Sequence, residues 1–113
     1  MHALIIEDEP FLAIVIEDHL RGLGYTSFDF ALTEAEAVTA ARARRPDLIT
    51  SDVQLPEGSG IAAVEAICDG TPIPVVFITA TPWVVRRRRQ GAIIVSKPII
   101  VADLIKAVSL AAA

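Results

Sequence analysis

Four short apolar stretches of this sequence each end at a residue that could take part in metal or phosphate chemistry. Glu7 and Asp8 follow "ALII", Asp52 follows "LITS", Thr79 ends "VVFIT" and Lys97 follows "IIVS". Carboxylates that lie close together repel one another, and a hard divalent cation such as Mg²⁺ relieves that repulsion. A carboxylate beside such a cation can act as a nucleophile on phosphorus.

The order of the elements along the chain predicts how these residues meet. Five strands, including the weaker "YTSFDFA", alternate with five helices over residues 1–113. The strands are apolar throughout, which is typical of a parallel sheet covered on both faces. We therefore expect a single doubly wound α/β domain. Ligands bind beyond the carboxyl ends of the strands in such sheets, where the four stretches above end.

Local signals place two of the helices. Pro10 is expected to begin the first helix, whose apolar stripe includes Phe11, Val15, Ile16 and Leu20. Thr33 and Glu36 resemble a capping box at the start of the second helix.

Composition and charge exclude several classes of protein. Hydrophobic residues make up 53% of the 113 residues, which argues against disorder. No apolar run could span a bilayer and no signal peptide is present, so we expect a cytoplasmic protein with no membrane partner. Cys68 is the only cysteine, expected as a packed thiol on a helix. The net charge of −4 gives nucleic acid no general reason to bind.

Four motifs in register carry a family resemblance. They are "IIEDEP", "SDVQLPEGSG", "VVFITA" and "SKP", and they occur in this order along essentially the whole chain. The chain resembles a response-regulator receiver domain of bacterial two-component signalling, of the stand-alone type. The resemblance implies a flavodoxin-like sheet of strand order 2-1-3-4-5. It also implies phosphorylation of Asp52 by a sensor histidine kinase or a histidine phosphotransfer protein.

The resemblance also implies roles for the residues at the strand ends. Mg²⁺ would be bound by Asp8, Asp52 and the backbone carbonyl of Gln54, and by Glu7 through water. Thr79 would be the switch hydroxyl that turns toward the phosphoryl group, which Lys97 would also contact.

Four further positions match the family pattern. Pro98 would follow the lysine through a cis peptide bond, and the small Ala80 would leave the phosphoryl group accessible. Gln54 and Thr81 occupy positions that tune how long the phosphoryl group survives.

The sequence departs from the family in the region that reads out the signal. Ile94 occupies the position where receivers commonly carry an aromatic switch residue, and the interval between Thr79 and Lys97 predicts a short fourth helix. Arg86 to Arg89 are expected to contact an acidic partner or a second copy, through the face formed by helix 4, strand 5 and helix 5. We expect Trp83 beside them to pack in the core, with an anchoring contact to a partner as the alternative.

Three functions compete. The leading one is a phosphoacceptor whose output is protein contact and which is not a turnover enzyme. The second is a receiver-like interaction module that signals without phosphate, which Ile94 leaves open. The third is a phosphohydrolase, but that chemistry usually needs a second acid two residues after the nucleophile, where Gln54 stands. A DNA-binding regulator is not expected from this chain.

Overall fold

Five strands and five helices alternate along the chain in a computed structural model that describes residues 1–113. The strands are β1 (His2–Ile6), β2 (Ser27–Ala31), β3 (Leu48–Ser51), β4 (Val75–Thr79) and β5 (Ile93–Ser96). The helices are α1 (Pro10–Gly22), α2 (Glu34–Ala43), α3 (Gly60–Ile67), α4 (Pro82–Arg88) and α5 (Val101–Ala111). All strands are parallel, in the order β2-β1-β3-β4-β5, which confirms the predicted fold class.

The sheet separates two hydrophobic cores. Ile78 of β4 packs with Leu20 of α1 and Leu104 of α5 on one face. The preceding residue of β4, Phe77, packs on the other face with residues of α2, α3 and α4, including Val64. Alternate residues of a central strand therefore enter opposite cores. This explains why the central strands are apolar throughout, as a parallel sheet covered on both faces requires.

The edge strand β2 is less buried than the central strands β1 and β3. β2 is half-buried along most of its length, and Phe30 is 47% exposed. The register pairs His2 with Ser27, and the buried His2 ring lies 2.8 Å from Ser27 Oγ and 2.9 Å from Asp29 Oδ2. Because an edge strand has a neighbour on only one side, polar side chains can line it without losing contact with water.

The predicted buried stripe of α1 is partly wrong. Phe11 is 80% exposed and Val15 is 41% exposed, whereas Ala13, Ile16 and Leu20 are buried. The helix turns the small Ala13 toward the sheet, so the stripe is rotated from the one predicted. Large apolar side chains consequently lie on the surface of the helix that follows Glu7 and Asp8.

The predicted burial of Trp83 is wrong. Trp83 is 57% exposed, because α4 has only seven residues and buries just Val85. Cys68 is the C-cap residue of α3 and packs half-buried against the second core, in agreement with the packed thiol expected there. The short fourth helix is as predicted. None of the five helices has the length and hydropathy needed to cross a membrane.

Side-chain caps and one glycine fix the segments around the strand ends. Thr33 accepts a hydrogen bond from Glu36 N at 3.1 Å, as predicted for the capping box, and Ser59 accepts one from Ile61 N at 3.1 Å. Gly60, the first residue of α3, packs directly on the backbone of Asp52. A Cβ at Gly60 would collide with the Asp52 carbonyl oxygen and would lie 2.5 Å from Ser51 Oγ. Only glycine allows this close approach.

Replacement of Gly60 by alanine tests this packing. We expect Gly60→Ala to lower the free energy of unfolding by about 2 kcal/mol or more, because backbone atoms must move to admit the methyl group. Gly22→Ala is the matched control, since a Cβ there meets nothing within 4 Å. It should leave stability unchanged or raise it by up to about 1 kcal/mol. Urea unfolding measures both, and equal stabilities would contradict the assignment.

Candidate functional site

The ends of β1, β3, β4 and β5 bring the predicted residues to one edge of the sheet. The Asp52 N–H donates to the Ile6 carbonyl at 2.9 Å, which holds Asp52 beside the turn that carries Glu7 and Asp8. The Lys97 N–H donates to the Thr79 carbonyl at 2.9 Å, which ties the ends of β4 and β5 together in the same way. Hydrogen bonding between parallel strands thus continues into the residues that carry the chemistry.

The Lys97 ammonium joins two of the carboxylates. Its Nζ donates to Asp52 Oδ2 at 2.9 Å and to Glu7 Oε2 at 3.4 Å, and it lies 3.1 Å from Glu7 Oε1. The Glu7 side chain is only 1% exposed, that of Asp52 12% and that of Lys97 21%. A buried carboxylate is costly to desolvate unless it is paired, and one lysine supplies the pairing for both acids.

Burial and charge shift the pKa values of this group in a consistent way. Desolvation raises the pKa of Glu7, although the hydrogen bond and charge of Lys97 oppose that rise. Burial alone would lower the pKa of Lys97, but hydrogen bonds to Asp52 and Glu7, with their charges, raise it instead. Lys97 is therefore a cation at neutral pH, and its charge offsets only part of the cost of burying the Glu7 carboxyl group.

The acids at this edge fit a hard divalent cation. Carboxylate oxygens of Glu7, Asp8 and Asp52 all lie within 4.8 Å of one another. Glu7 Oε1 is buried and accepts no hydrogen bond of acceptable geometry, despite the nearby ammonium. Lys97 contacts two of the three carboxylates and leaves Asp8 without a cation, and an all-oxygen donor set is the kind that Mg²⁺ prefers. The chain's own residues therefore suit Mg²⁺.

The Thr79 hydroxyl lies at the same edge, but it is hydrogen-bonded to a neighbouring threonine. Thr79 is 1% exposed, and its Oγ1 accepts from the Thr81 N–H at 3.0 Å and lies 3.1 Å from Thr81 Oγ1. Ala80 between them is exposed. Both described hydrogen bonds of the Thr79 hydroxyl thus go to Thr81.

The remaining predicted residues surround this centre. Gln54 is exposed in the loop after Asp52, where it forms an isolated antiparallel bridge with Ser59. The Lys97–Pro98 peptide bond is cis. Ile94 of β5 is half-buried against the second core, on the same face of the sheet as α4. Arg86, Arg87 and Arg88 are exposed on α4.

The family of the chain follows from a comparison of sequences. The family model of the response regulator receiver domain matches residues 3–109. The chain belongs to the receiver-domain family. Its sheet order, its acidic edge and its lysine at the end of β5 are all found within the region that the family model matches.

Relatives and solved structures agree with this assignment. The receiver is 41% identical over 99 residues to the phyllosphere-induced regulator PhyR of Methylorubrum extorquens, covering 84% of this chain and 37% of that protein. It is 37% identical over 112 residues to the transcriptional regulatory protein PdtaR of Mycobacterium tuberculosis, covering 96% of this chain and 55% of that protein. The chain therefore spans about half or less of the length of these curated relatives.

Two solved structures are similar over almost the whole receiver. The solution structure of the receiver domain of Erythrobacter litoralis PhyR has a TM-score of 0.88 and 35% identity, covering 97% of this chain and 88% of that one. The crystal structure of the anti-anti-sigma factor PhyR of Bartonella quintana has a TM-score of 0.81 and 38% identity, covering 98% of this chain and 46% of that one.

Two contacts of the receiver site were missed by the sequence reasoning. The Val53 N–H donates to Asp52 Oδ1 at 2.6 Å, which orients the carboxylate, and Thr81 holds the Thr79 hydroxyl. The first contact is made by the backbone and leaves no sequence signal. The second had a signal, because a threonine hydroxyl can accept from the backbone N–H two residues later.

Replacement of Glu7 by glutamine tests the electrostatics of the site. Folding raises the pKa of Glu7 above its ordinary value of 4.5, so the folded chain binds the proton more tightly than the unfolded chain. Stability contributed by this group therefore falls as the pH rises through and above 4.5. We expect Glu7→Gln to be the more stable protein at pH 7 without Mg²⁺, with a midpoint higher by roughly 4–8 °C for each 1 kcal/mol gained.

Thermal unfolding in a chelating buffer measures this difference, which should shrink at pH 4. Added Mg²⁺ should then stabilise the wild type more than Glu7→Gln. A variant that melts at or below the wild-type temperature at pH 7 would contradict the assigned cost of burying Glu7.

Proposed function

We propose that this receiver domain accepts a phosphoryl group on Asp52, in a Mg²⁺-dependent reaction, from the phosphohistidine of a sensor histidine kinase or a histidine phosphotransfer protein. The observation that carries the proposal is the Lys97 ammonium shared between Asp52 and Glu7, with Asp8 at the same edge. A nucleophile, a cation and a set of metal ligands then occupy one site, as phosphoryl transfer requires.

The transfer exchanges one bond to phosphorus for another. An Asp52 oxygen attacks the phosphorus and forms the O–P bond as the donor's N–P bond breaks, and that electron pair leaves with the imidazole. Val53 N–H holds Oδ1 while Lys97 holds Oδ2, so the carboxylate is oriented before the donor arrives. One N–H of the Lys97 ammonium can then donate a hydrogen bond to a phosphoryl oxygen.

The metal ligands of the proposal are those inferred from the sequence. Asp8, Asp52 and the Gln54 carbonyl would hold Mg²⁺ directly, and Glu7 would act through water. The bound ion supplies positive charge that offsets the charge of the phosphoryl group. The missing hydrogen bond at Glu7 Oε1 supports this role, because a metal-bound water could donate to it.

Three residues would set the fate of the aspartyl phosphate. Thr79 would turn its hydroxyl toward the phosphoryl group, and the exposed Ala80 would leave that group open to water. Gln54 stands where a phosphohydrolase would carry its general acid, and an amide cannot transfer a proton in that way. The proposal is therefore a signalling switch and not a turnover enzyme.

The relatives do not identify the downstream partner. The Bartonella quintana protein is described as an anti-anti-sigma factor, and this chain matches less than half of it. No partner of that kind is therefore proposed for this chain. The cytoplasmic location expected from the sequence likewise stays a prediction.

A receiver-like module that signals without phosphate is the second candidate. Ile94 favours it, because an aliphatic side chain cannot rotate together with the threonine as an aromatic switch residue does. The complete set of Asp52, Lys97 and the paired acids favours the phosphoacceptor instead, since an interaction module has no need of buried charge.

Incubation with Mg²⁺ and acetyl phosphate tests the phosphoacceptor. Intact-mass measurement should show a labile gain of one phosphoryl group in the wild type and none in Asp52→Ala. Lys97→Ala should slow the gain by about a hundredfold, as expected when one donor to the transferring group is lost.

The matched control is Asp103→Ala, which removes an exposed acid in the first turn of α5. It should be phosphorylated at the wild-type rate. No mass gain in the wild type, together with no Mg²⁺ binding, would reject the phosphoacceptor and leave the interaction module.

We further propose that α4 forms the output surface, through contact with an acidic partner. Between Asp69 and Asp103 the chain has five cations and no acid, so this segment carries +5, of which one charge belongs to Lys97 and is paired with Glu7 and Asp52 in the site. The rest of the chain carries −9, because the total is −4. The positively charged segment attracts acidic groups and repels basic ones.

The side chains of α4 that lack an internal partner share one face. Arg88 pairs with Glu65 at 3.3 Å and the Arg89 guanidinium lies 6.0 Å from the centre of the Phe77 ring. Arg86 and Arg87 pair with no carboxylate. They follow Trp83 by three and four residues, which places the three side chains on one side of the helix. An acidic segment with an apolar side chain fits this surface, and a second copy of the domain is the alternative occupant.

Charge reversal tests the output surface. An oligoglutamate peptide carrying one leucine should perturb the Trp83 indole resonance, with an effect that weakens as salt screens the charges. Arg86→Glu combined with Arg87→Glu should abolish it, whereas Arg42→Glu on α2 should not. Sedimentation measures whether the domain binds a second copy instead. Binding that is unchanged by the double reversal would contradict the proposal.

A further inference from the structure

Thr81 precedes α4 as its N-cap residue but does not cap it. The two other hydroxyl residues at this position in the chain, Thr33 before α2 and Ser59 before α3, both accept hydrogen bonds from amides of the first turn. Their ψ angles are 164° and 137°, in the extended range usual for an N-cap. Thr81 has ψ of 62° and its side chain makes no capping bond.

The Thr81 hydroxyl is instead bonded to Thr79. The two Oγ1 atoms are 3.1 Å apart, and the Thr81 N–H donates to Thr79 Oγ1 at 3.0 Å. Thr79 is buried and Thr81 is half-buried, so water competes little for the Thr79 hydroxyl. The first turn of α4 therefore lacks a side-chain acceptor while Thr79 remains in this arrangement.

We infer that the Thr81 hydroxyl exchanges between two partners: Thr79 in the resting domain, and the first-turn amides of α4 once Thr79 turns toward the phosphoryl group. The inference rests on the proposed phosphorylation of Asp52. Rotation of Thr79 breaks both bonds to Thr81. Thr81 can then adopt the extended ψ seen at Thr33 and Ser59, and its side-chain oxygen can accept from Trp83 N, since Val84 N already donates to the Thr81 carbonyl at 3.0 Å. Thr81 is a positioning residue in this scheme and does not touch the phosphoryl group.

The scheme supplies a route from the site to α4 that needs no aromatic side chain. Ile94 occupies the aromatic position, so a coupled rotation of threonine and ring is absent in this chain. α4 has only seven residues, and short helices are marginal without external support. One capping bond is therefore a large share of what orders this helix, and Trp83, Arg86 and Arg87 lie on it.

Amide hydrogen exchange with and without acetyl phosphate and Mg²⁺ tests the exchange of partners. In the wild type, phosphorylation should slow exchange at Trp83 by about fivefold, the effect expected from one N-cap hydroxyl. Thr81→Val has the same shape without the hydroxyl, and it should lose that slowing while still gaining the phosphoryl group. Thr81→Ser restores the hydroxyl and should restore the slowing. Amides of the first turn of α2 serve as the internal reference and should not change.

Each outcome decides a separate point. A phosphorylated wild type with unchanged exchange in α4 would overturn this inference and leave the proposed function intact. Equal slowing in the wild type and in Thr81→Val would also overturn it. If Thr81→Val does not fold, Thr81→Ala takes its place in this comparison. A wild type that gains no phosphoryl group would overturn the proposed function together with the inference.

Discussion

The shared ammonium of Lys97 is the interaction on which the site depends. Glu7 is almost completely buried and Asp52 nearly so, and burying a carboxylate is costly unless a cation is paired with it. Parallel strands make this pairing available, because they deliver the ends of β1, β3 and β5 to one edge even though Glu7 and Lys97 are 90 residues apart. The two hydrophobic cores then hold the strands in register. The fold therefore brings the acids and the lysine of the site together.

The packing around Asp52 shows how the backbone serves that centre. Gly60 begins α3 in direct contact with the Asp52 carbonyl, and the preceding residue, Ser59, is the N-cap of the helix. The Val53 N–H fixes one carboxylate oxygen while Lys97 fixes the other. The proposed nucleophile is thus held in one orientation and has little orientational freedom left to lose in a reaction.

The region that reads out the site is held much less firmly. α4 is short, buries a single side chain and begins at a threonine whose hydroxyl serves Thr79 instead of the helix. Segments with few buried contacts are the ones that change conformation at low cost. Arg86 and Arg87, which pair with no carboxylate, lie on this helix.

The sequence by itself determined the architecture and the members of the site. Apolar runs of strand length alternating with helices specify a parallel sheet, and a residue that follows such a run must lie at its carboxyl edge. Asp52, Lys97 and the acids after β1 could thus be placed together without coordinates. The capping role of Thr33 was likewise predicted from the local pattern, and the aliphatic Ile94 at the family's aromatic position was identified from its distance to Lys97.

Only the tertiary structure decided which side chains are covered and which polar groups meet. The exposure of Phe11 and Val15 depends on the rotation of α1 against the sheet, which helical periodicity alone does not define. Trp83 is exposed because α4 is too short to bury it. His2 finds Ser27 and Asp29 through the register of two strands, and Thr81 finds Thr79 through a backbone angle. Each of these outcomes is a contact between segments or a choice of rotamer, and residue type alone does not encode it.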